Sequence, residues 1–268
     1  MIKYLINFFL IVIAIYFFIL VFIYFYQRNL LYHPSENNYL DDQINFDYKE
    51  VYIPVTKKIN LKSWVINKDL KNKKTLIFFH GNAGNLRNRI YKINELSKLD
   101  INILIFAWRG FSGNKGKVTE YGLYEDAKAS INWLNEQGVD FENIILYGES
   151  LGTGIAVEMG LNFNVAGIIL ESPYTSMVDT AKLYYPYLPV RFLLKDKYET
   201  LKKIAKINTP ILIMHGEKDK IVPIEMSYSL LEKAKEPKYF YFSQEDDHMM
   251  NYNAELIKNL VKFISKLR

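Results

Sequence analysis

Cysteine is absent from this chain of 268 residues. Its absence excludes disulfide bonds, thiolate metal sites and a cysteine nucleophile, but it does not decide the cellular compartment. Histidine is scarce, with four residues in all, and no H-x-x-x-H pair or cluster of Asp and His indicates a metal site. We therefore expect neither a metal ion nor an organic cofactor.

The net charge of the chain is also small. The formal net charge of +5 falls to +3 without the first 28 residues, which hold Lys3 and Arg28 and no acid. The remaining basic residues are dispersed among acidic ones and match no nucleic-acid-binding pattern, so we expect no nucleic-acid partner. Half of the residues are hydrophobic, which is enough for the core of one domain of roughly 230 to 240 residues.

A long apolar run opens the chain at residues 4–26. As a helix rising ~1.5 Å per residue, it would reach roughly 35 Å and cross a bilayer. We predict a single-pass anchor at residues 1–28; a cleaved signal peptide fits less well because bulky aromatic residues end the run. A buried core helix is a further alternative. Flanking charges are nearly equal on the two sides, and we take the N-terminus as cytoplasmic.

Residues 29–46 are expected to form a polar connector and residues 47–268 the globular domain. There, short apolar runs alternate with helical patterns, which predicts an α/β domain whose mostly parallel, eight-stranded sheet carries helices on both faces. The predicted strands are 47–55, 61–66, 75–79, 101–106, 143–147, 165–171, 211–215 and 238–242, and the predicted helices are 87–99, 121–135, 151–161, 224–235 and 252–266. Ligands of such sheets bind at the carboxyl ends of the strands.

A small nucleophile stands between two glycines in Gly148-Glu149-Ser150-Leu151-Gly152, directly after an apolar run and before a helical pattern. A G-x-S-x-G turn at this place strains the serine backbone and exposes its hydroxyl at the strand tip. The amide of Leu151 then opens the helix and is able to donate to an oxyanion. The simpler alternative is a tight turn without chemistry.

A serine hydroxyl needs a base, and in folds with this turn the acid and then the histidine follow the serine. Only His215 and His248 follow Ser150. We favour Asp219 as the acid and His248 as the base. In the alternative, His215 acts with Glu171, although His215 is more simply a histidine bonded to the turn that it begins.

Two glycine-rich loops follow other strands. In residues 79–85, the amide of Asn82 is able to supply a second oxyanion donor beside Leu151, although a plain strand-to-helix turn is an alternative. Residues 109–116 lack the G-x-x-x-x-G-K-S/T spacing, so we expect no nucleotide site there and an acidic partner for Arg109. Residues 173–208 interrupt the α/β pattern and predict a small apolar cap that either accepts an acyl chain or only covers the sheet.

Five motifs together resemble the α/β-hydrolase superfamily, and more narrowly its abhydrolase-domain proteins with one N-terminal membrane helix. They are His80-Gly81-Asn82-Ala83-Gly84-Asn85, Arg109-Gly110-Phe111-Ser112-Gly113, Gly148-Glu149-Ser150-Leu151-Gly152, Glu171-Ser172-Pro173-Tyr174-Thr175-Ser176 and His215-Gly216-Glu217-Lys218-Asp219. The resemblance runs from about Leu31 to the C-terminus. One departure is Asp246-Asp247-His248-Met249, where the family's histidine often follows Gly and precedes Asn.

The resemblance implies an α/β-hydrolase fold with Ser150 as nucleophile, Asp219 as acid, His248 as base, and the amides of Asn82 and Leu151 as oxyanion donors. That branch includes lipid and acyl-thioester hydrolases. We expect a membrane-anchored serine hydrolase of ester or thioester bonds in a small-molecule or lipid substrate; no oligomeric state is predicted. Alternatives are a peptidase resembling the prolyl oligopeptidase family and a non-catalytic binding module.

Overall fold

A central sheet with flanking helices forms the domain in the computed structural model, which describes residues 1–36 and 43–267. The strands are β1 (His33–Pro34), β2 (Lys49–Thr56), β3 (Ile59–Ile66), β4 (Thr75–Phe79), β5 (Ala83–Gly84), β6 (Asn102–Phe106), β7 (Ile144–Glu149), β8 (Gly167–Glu171), β9 (Ile211–Gly216) and β10 (Lys238–Ser243). The helices are α1 (Ile2–Leu31), α2 (Ile90–Leu96), α3 (Glu120–Glu136), α4 (Leu151–Asn162), α5 (Met177–Tyr184), α6 (Val190–Leu193), α7 (Thr200–Ile204), α8 (Ile224–Lys233) and α9 (Ala254–Ile264).

The main sheet has eight strands in the order β10-β9-β8-β7-β4-β6-β3-β2. Strand β3 is antiparallel to both β2 and β6, and the other neighbours are parallel. Every residue of β4, β6, β7, β8 and β9 is buried, because helices cover a parallel sheet on both sides and both faces of its strands become core. The predicted mostly parallel sheet is confirmed.

The chain reverses its direction of travel across the sheet at β4. It passes from β4 through α2 to β6 on one side, and then returns through α3 to β7 on the other side. Because such crossovers are right-handed, α2 lies on one face of the sheet and α3 and α4 on the other. The carboxyl ends of β4 and β7 therefore border the crevice where ligands of such sheets bind.

Helix α4 approaches the sheet unusually closely. A Cβ built on Gly148 would lie 2.5 Å from the carbonyl oxygen of Gly152, and one built on Gly152 would overlap the carbonyl oxygen of Phe79. No side chain fits at either position. The two glycines of the serine motif are thus required by backbone contact between β7, α4 and β4.

The predicted helix at 87–99 is shorter in the structure. Residues Leu86–Arg89 form a 3-10 turn, and α2 extends only from Ile90 to Leu96. The Asn88 side chain accepts from the amide of Asn85 at 2.9 Å in a capping box that opens the 3-10 turn. At the other end, the Ser97 hydroxyl donates to the Asn94 carbonyl at 2.9 Å, a local bond that competes with the helix.

Helix α1 has 30 residues, and an 18-residue window within it has a mean hydropathy of 3.0 with none of its residues buried. It is long and apolar enough to cross a membrane, and it ends three residues beyond the predicted boundary at residue 28. Part of the predicted connector, residues 37–42, lies outside the described residues.

We predict that Gly152→Ala lowers the free energy of unfolding by about 3 kcal/mol or more, because its methyl group must displace the backbone of β4. Gly138→Ala is the matched control, since φ is +90° there but the space is open, and we expect a loss of about 1 kcal/mol. Denaturant titration of both variants in detergent measures the difference. Equal losses of unfolding free energy in the two variants would show that the close contact at Gly152 does not determine the effect.

Candidate active site

Ser150 lies at the sharp turn between β7 and α4. Its backbone has φ 49° and ψ −114°, a region that residues with a side chain rarely adopt. The strain is held by the Ser150 amide, which donates to the Glu171 carbonyl at 2.9 Å, and by the Thr153 amide, which donates to the Ser150 carbonyl at 2.9 Å. This is the expected geometry of the G-x-S-x-G turn, and Ser150 lines a pocket.

The structure brings Ser150, His248 and Asp219 together from three separate loops. His248 Nε2 lies 2.9 Å from Ser150 Oγ, and His248 Nδ1 lies 2.7 Å from Asp219 Oδ2. Because a carboxylate only accepts, Nδ1 carries the proton and Nε2 is free to accept the serine proton. The three residues therefore have the arrangement of a nucleophile, a base and an orienting acid.

Asp219 is charged although its side chain is fully buried. Burial alone would raise the pKa of this carboxyl, but hydrogen bonds from His215 and His248 hold it well below its usual range. The amides of Ile221 and Val222 also donate to Asp219 Oδ1, at 2.7 and 2.9 Å. The carboxylate is thus fixed in position and stays ionised over the neutral range.

His215 supports Asp219 rather than replacing His248. From the sequence it is expected only to bond its own turn, and in the structure its Nε2 lies 2.9 Å from both Asp219 Oδ2 and the Val222 carbonyl. Two acceptors at Nε2 place the proton there, and Nδ1 accepts from the Ser227 hydroxyl at 2.6 Å. The spacing of four residues between His215 and Asp219 was the sequence signal for this contact.

The other histidines lie apart from this group. His80 is fully buried, and burial lowers its pKa to about 3, so it is neutral. Its Nδ1 bonds the Gly81 carbonyl and its Nε2 accepts from the Trp108 amide at 3.3 Å. His33 belongs to β1. Asp247, the neighbour of His248 in the sequence, accepts from the Met249 amide instead of contacting the imidazole.

The two predicted oxyanion donors, Asn82 and Leu151, line the same pocket as Ser150. Leu151 is the first residue of α4, where backbone amides lack partners within the helix. The amide of Gly81 is bonded to Glu149 Oε1 at 3.1 Å and so is not the donor. These positions suit two amides directed at an oxygen bound to Ser150.

The segment after α1 holds the loop that carries Asn82. Strand β1 pairs in parallel with β5: the His33 amide donates to the Asn82 carbonyl at 2.8 Å, and the Ser35 amide donates to the Gly84 carbonyl at 2.9 Å. The Asn82 side chain donates to the Leu31 carbonyl at 2.7 Å. The sequence predicts only a polar connector here, because a two-residue strand has no periodic signature.

A cavity of about 530 Å³ opens beside Ser150, between α1, the residues of the predicted cap, and the Asn82 loop. Most of its lining is apolar. The contributions of α1 are Ile23, Gln27, Leu30 and Leu31, and those of residues 174–194 include Met177, Ala181, Tyr184, Tyr185, Leu188 and Leu193.

Comparison with known proteins agrees with this geometry. A family model described as alpha/beta hydrolase fold matches residues 74–201, and one described as serine hydrolase matches residues 165–255. An esterase of Pyrococcus furiosus superimposes with a TM-score of 0.70 at 20% identity, over 88% of this chain and 99% of its own. The chain has the α/β-hydrolase fold.

Among proteins similar in sequence to this chain is the human alpha/beta hydrolase domain-containing protein 17B, at 34% identity over 62% of this chain and 57% of its own length. An uncharacterized protein of Mycobacterium tuberculosis is 39% identical over 60% of this chain and 58% of its own length. Protein bem46 of Schizosaccharomyces pombe is 29% identical over 74% and 71%. The chain thus spans less than two thirds of the length of the human and mycobacterial relatives.

A buried cluster of four charges lies next to Ser150 in the fold. Lys92 Nζ lies 2.8 Å from Glu149 Oε2 and also bonds Glu171 Oε1, while Arg89 lies 2.6 Å from Glu149 Oε1. Burial opposes the charge on Glu149, but Arg89 and Lys92 hold its pKa well below the usual range. Burial likewise opposes the charge on Lys92, but Glu149 and Glu171 raise its pKa.

The same cluster removes Glu171 from consideration as a catalytic acid. Its second oxygen accepts the hydroxyls of Tyr147 and Tyr252, at 2.6 and 2.7 Å. The alternative pairing of Glu171 with His215 is therefore not assembled. Sequence reasoning does not reveal the cluster, because Arg and Lys are almost always at the surface. Arg109 has its expected acid, since its Nε donates to Asp126 Oδ1 at 2.9 Å.

We predict that Lys92→Met lowers the free energy of unfolding by about 3 to 5 kcal/mol, because it leaves buried carboxylates without their cation. The double variant Lys92→Met with Glu171→Gln should recover part of this loss, since one of those carboxylates becomes neutral. A denaturant titration of the single and double variants measures both. Additive losses would mean that Lys92 contributes through packing alone.

Proposed function

We propose that this protein is a serine hydrolase that cleaves carboxylic ester or thioester bonds through Ser150, His248 and Asp219. The observation that carries the proposal is the continuous hydrogen-bonded path from Ser150 Oγ to His248, at 2.9 Å, and from His248 to Asp219, at 2.7 Å. The match to a serine hydrolase family model supports it.

In the proposed reaction, Ser150 Oγ attacks the substrate carbonyl while His248 Nε2 takes the hydroxyl proton. The new C–O bond places negative charge on the carbonyl oxygen, which the amides of Asn82 and Leu151 stabilise. His248 returns the proton to the leaving oxygen or sulfur as that bond breaks, and an acyl-enzyme remains. Water, activated by His248, then releases the carboxylic acid and restores Ser150.

Asp219 orients the imidazole and stabilises its positive charge without taking the proton. Its lowered pKa suits this role, because the carboxylate must stay ionised while His248 becomes cationic. His215 and the amides of Ile221 and Val222 keep the carboxylate from turning away from His248.

The cavity beside Ser150 supports a lipid or other long acyl substrate. Its volume of about 530 Å³ is within the range of pockets for ligands of drug-like size. Its walls are mostly apolar, and aliphatic chains bind such walls by losing contact with water, at ~0.8 kcal/mol for each buried CH₂ group.

Helix α1 is proposed to remain attached as a single-pass membrane anchor. Its last turn makes polar contacts with the domain: Gln27 is buried and donates to the Leu193 carbonyl at 2.9 Å, and Arg28 pairs with Asp196 at 2.8 Å. Cleavage of α1 as a signal peptide would remove these contacts from the domain. We keep the N-terminus on the cytoplasmic side as the proposed orientation.

We predict that Ser150→Ala abolishes ester hydrolysis and labelling by a fluorophosphonate probe, because Ser150 Oγ is the hydroxyl that His248 Nε2 bonds in the part of the chain that the structure describes. Ser229→Ala, an exposed hydroxyl of α8, is the control and should label as the native protein does. Mass spectrometry of the native protein locates the label, and unchanged thermal unfolding shows that each variant is folded. Labelling that persists in Ser150→Ala would refute the assigned nucleophile.

Labelling and cleavage assays on the native protein also distinguish the two alternative functions. Labelling together with faster cleavage of short peptide amides than of esters would favour a peptidase. A folded native sample without any labelling would favour a non-catalytic binding module.

We predict that Ala181→Phe, which places a ring in the cavity, lowers kcat/KM for long-chain esters at least about tenfold more than for an acetate ester, since only the long chain needs the filled volume. Lys182→Phe adds the same ring one residue later, on an exposed position outside the cavity. Kinetics over a series of 4-nitrophenyl esters measure the chain-length profile. An equal loss on all esters would place the acyl chain elsewhere.

A further inference from the structure

The end of α5, the residues after it and α6 expose a group of large apolar side chains. Tyr187 and Phe192 are 89% and 85% exposed, and Leu183, Tyr184 and Tyr185 are each about half exposed. We call residues 183–193 the cap tip. No Asp or Glu occurs between Thr180 and Lys195. Such a surface is costly in water and usually marks an interaction site.

The cap tip runs along helix α1 over several turns. At one end the Tyr16 hydroxyl donates to the Tyr187 carbonyl at 2.9 Å. At the other, Gln27 bonds the Leu193 carbonyl and the Lys195 amide, and Arg28 pairs with Asp196. From residue 16 to residue 28, a helix rises roughly 18 Å. The cap tip is therefore aligned with the C-terminal half of the helix.

This alignment fixes the depth of the cap tip once α1 spans a bilayer. The apolar run of 23 residues has a length close to the ~30 Å hydrocarbon core, so the helix has little freedom to slide. Tyr16 lies ten residues, or roughly 15 Å, inside the end of that run at Tyr26. The Tyr187 carbonyl, bonded to Tyr16, must lie at nearly the same depth.

Most backbone N–H groups of the cap tip are paired, which suits an apolar medium, where an unpaired N–H group is costly. Those of Tyr187 and Arg191 have no backbone acceptor among the described residues. Pro186 and Pro189 have no N–H group. The amides of Tyr185, Leu188, Val190, Phe192 and Leu193 all donate to nearby carbonyls.

The charged side chains at the cap tip are all basic: Lys182 precedes it, the exposed Arg191 lies within α6, and Lys195 follows it. Lys195 Nζ lies 4.0 Å from the centre of the Tyr24 ring, close to the ion pair of Arg28 with Asp196. Basic and aromatic side chains of this kind are typical of the boundary between hydrocarbon and headgroups. The opposite end, at Tyr187, is apolar.

We propose that the cap tip is immersed in the hydrocarbon of the leaflet that surrounds the C-terminal half of α1. The cavity beside Ser150 lies between α1 and this segment, so it opens toward lipid and receives its acyl substrate from the leaflet rather than from water. The proposal rests on the proposed anchor and deepens the proposed function by naming the phase from which the substrate enters.

Single spin labels test the proposal directly, because the chain has no native cysteine. Tyr187→Cys and Phe192→Cys are labelled in the full chain, reconstituted into phosphatidylcholine vesicles. Phe17→Cys on α1 is the reference for the hydrocarbon. Tyr52→Cys and Phe240→Cys, on the two edge strands of the sheet and about 60% exposed, are the references for water.

The accessibility of each label to oxygen and to a nickel chelate is measured by electron paramagnetic resonance. We expect the labels at 187 and 192 to match that at 17, with high oxygen and low nickel accessibility. Nickel accessibility equal to that at 52 and 240 would overturn the proposal. Low accessibility to both reagents would also overturn it, because it would indicate contact with a protein or a second copy of the chain.

Kinetics provide a second measurement that does not depend on the labels. Tyr187→Asp with Phe192→Asp should raise KM for an ester embedded in vesicles at least about tenfold, because a carboxylate disfavours hydrocarbon by more than 1.4 kcal/mol. The rate on a short, water-soluble ester should stay unchanged, since neither residue lines the cavity. The control is the double variant Tyr52→Asp with Phe240→Asp, which adds two carboxylates at exposed positions on the edge strands.

Equal losses on both esters, or no loss on either, would contradict lateral entry. Fluorophosphonate labelling of Ser150 is independent of membrane depth, so a failure of the cap-tip proposal is distinguishable from a failure of the hydrolase proposal.

Discussion

The contact between Gly152 and the carbonyl of Phe79 sets how closely α4 approaches the sheet. Because α4 begins next to β4, the first amide of the helix and the loop after β4 lie on the same side of Ser150. The serine is strained by the same contact, since the chain must turn from β7 into α4 without a spacer. The positions of Ser150, of the first helix amide and of the Asn82 loop therefore all depend on one close backbone contact, which only glycine allows.

Two groups of buried carboxylates lie near Ser150, and their negative charges are compensated in different ways. Glu149 and Glu171 are matched by Arg89 and Lys92, so that a charge buried at a cost of several kcal/mol always has an opposite charge in contact. Asp219 has no Lys or Arg partner among the described residues, and it is bonded by two histidines and two amides. The difference suits their positions, because a permanent cation beside Asp219 would reduce its interaction with a protonated His248.

Whether a feature of the fold or the site could be predicted from the sequence depends on how far apart along the chain the interacting residues lie. The strands are readable because parallel strands buried on both faces, such as β4 and β7, are continuous apolar runs. Ser150 has a local motif, and chain order selects Asp219 and His248 from few candidates. The burial of Lys92 and the pairing of β1 with β5 depend on partners far away in the sequence. The partners of His215 are close along the chain, but its contacts depend on how the loop after β9 folds. No periodic pattern encodes these contacts.

The pairing of β1 with β5 bears on how a soluble fragment of this protein should be chosen. A fragment that starts after residue 36 lacks the Leu31 carbonyl and the His33 amide, which hold Asn82 from both its side chain and its backbone. It also lacks Arg28 and Tyr32, so the carboxylate of Asp196 loses two of its partners. The last turns of α1, from Gln27 onward, are thus part of the same packed unit as the domain rather than a tether to it.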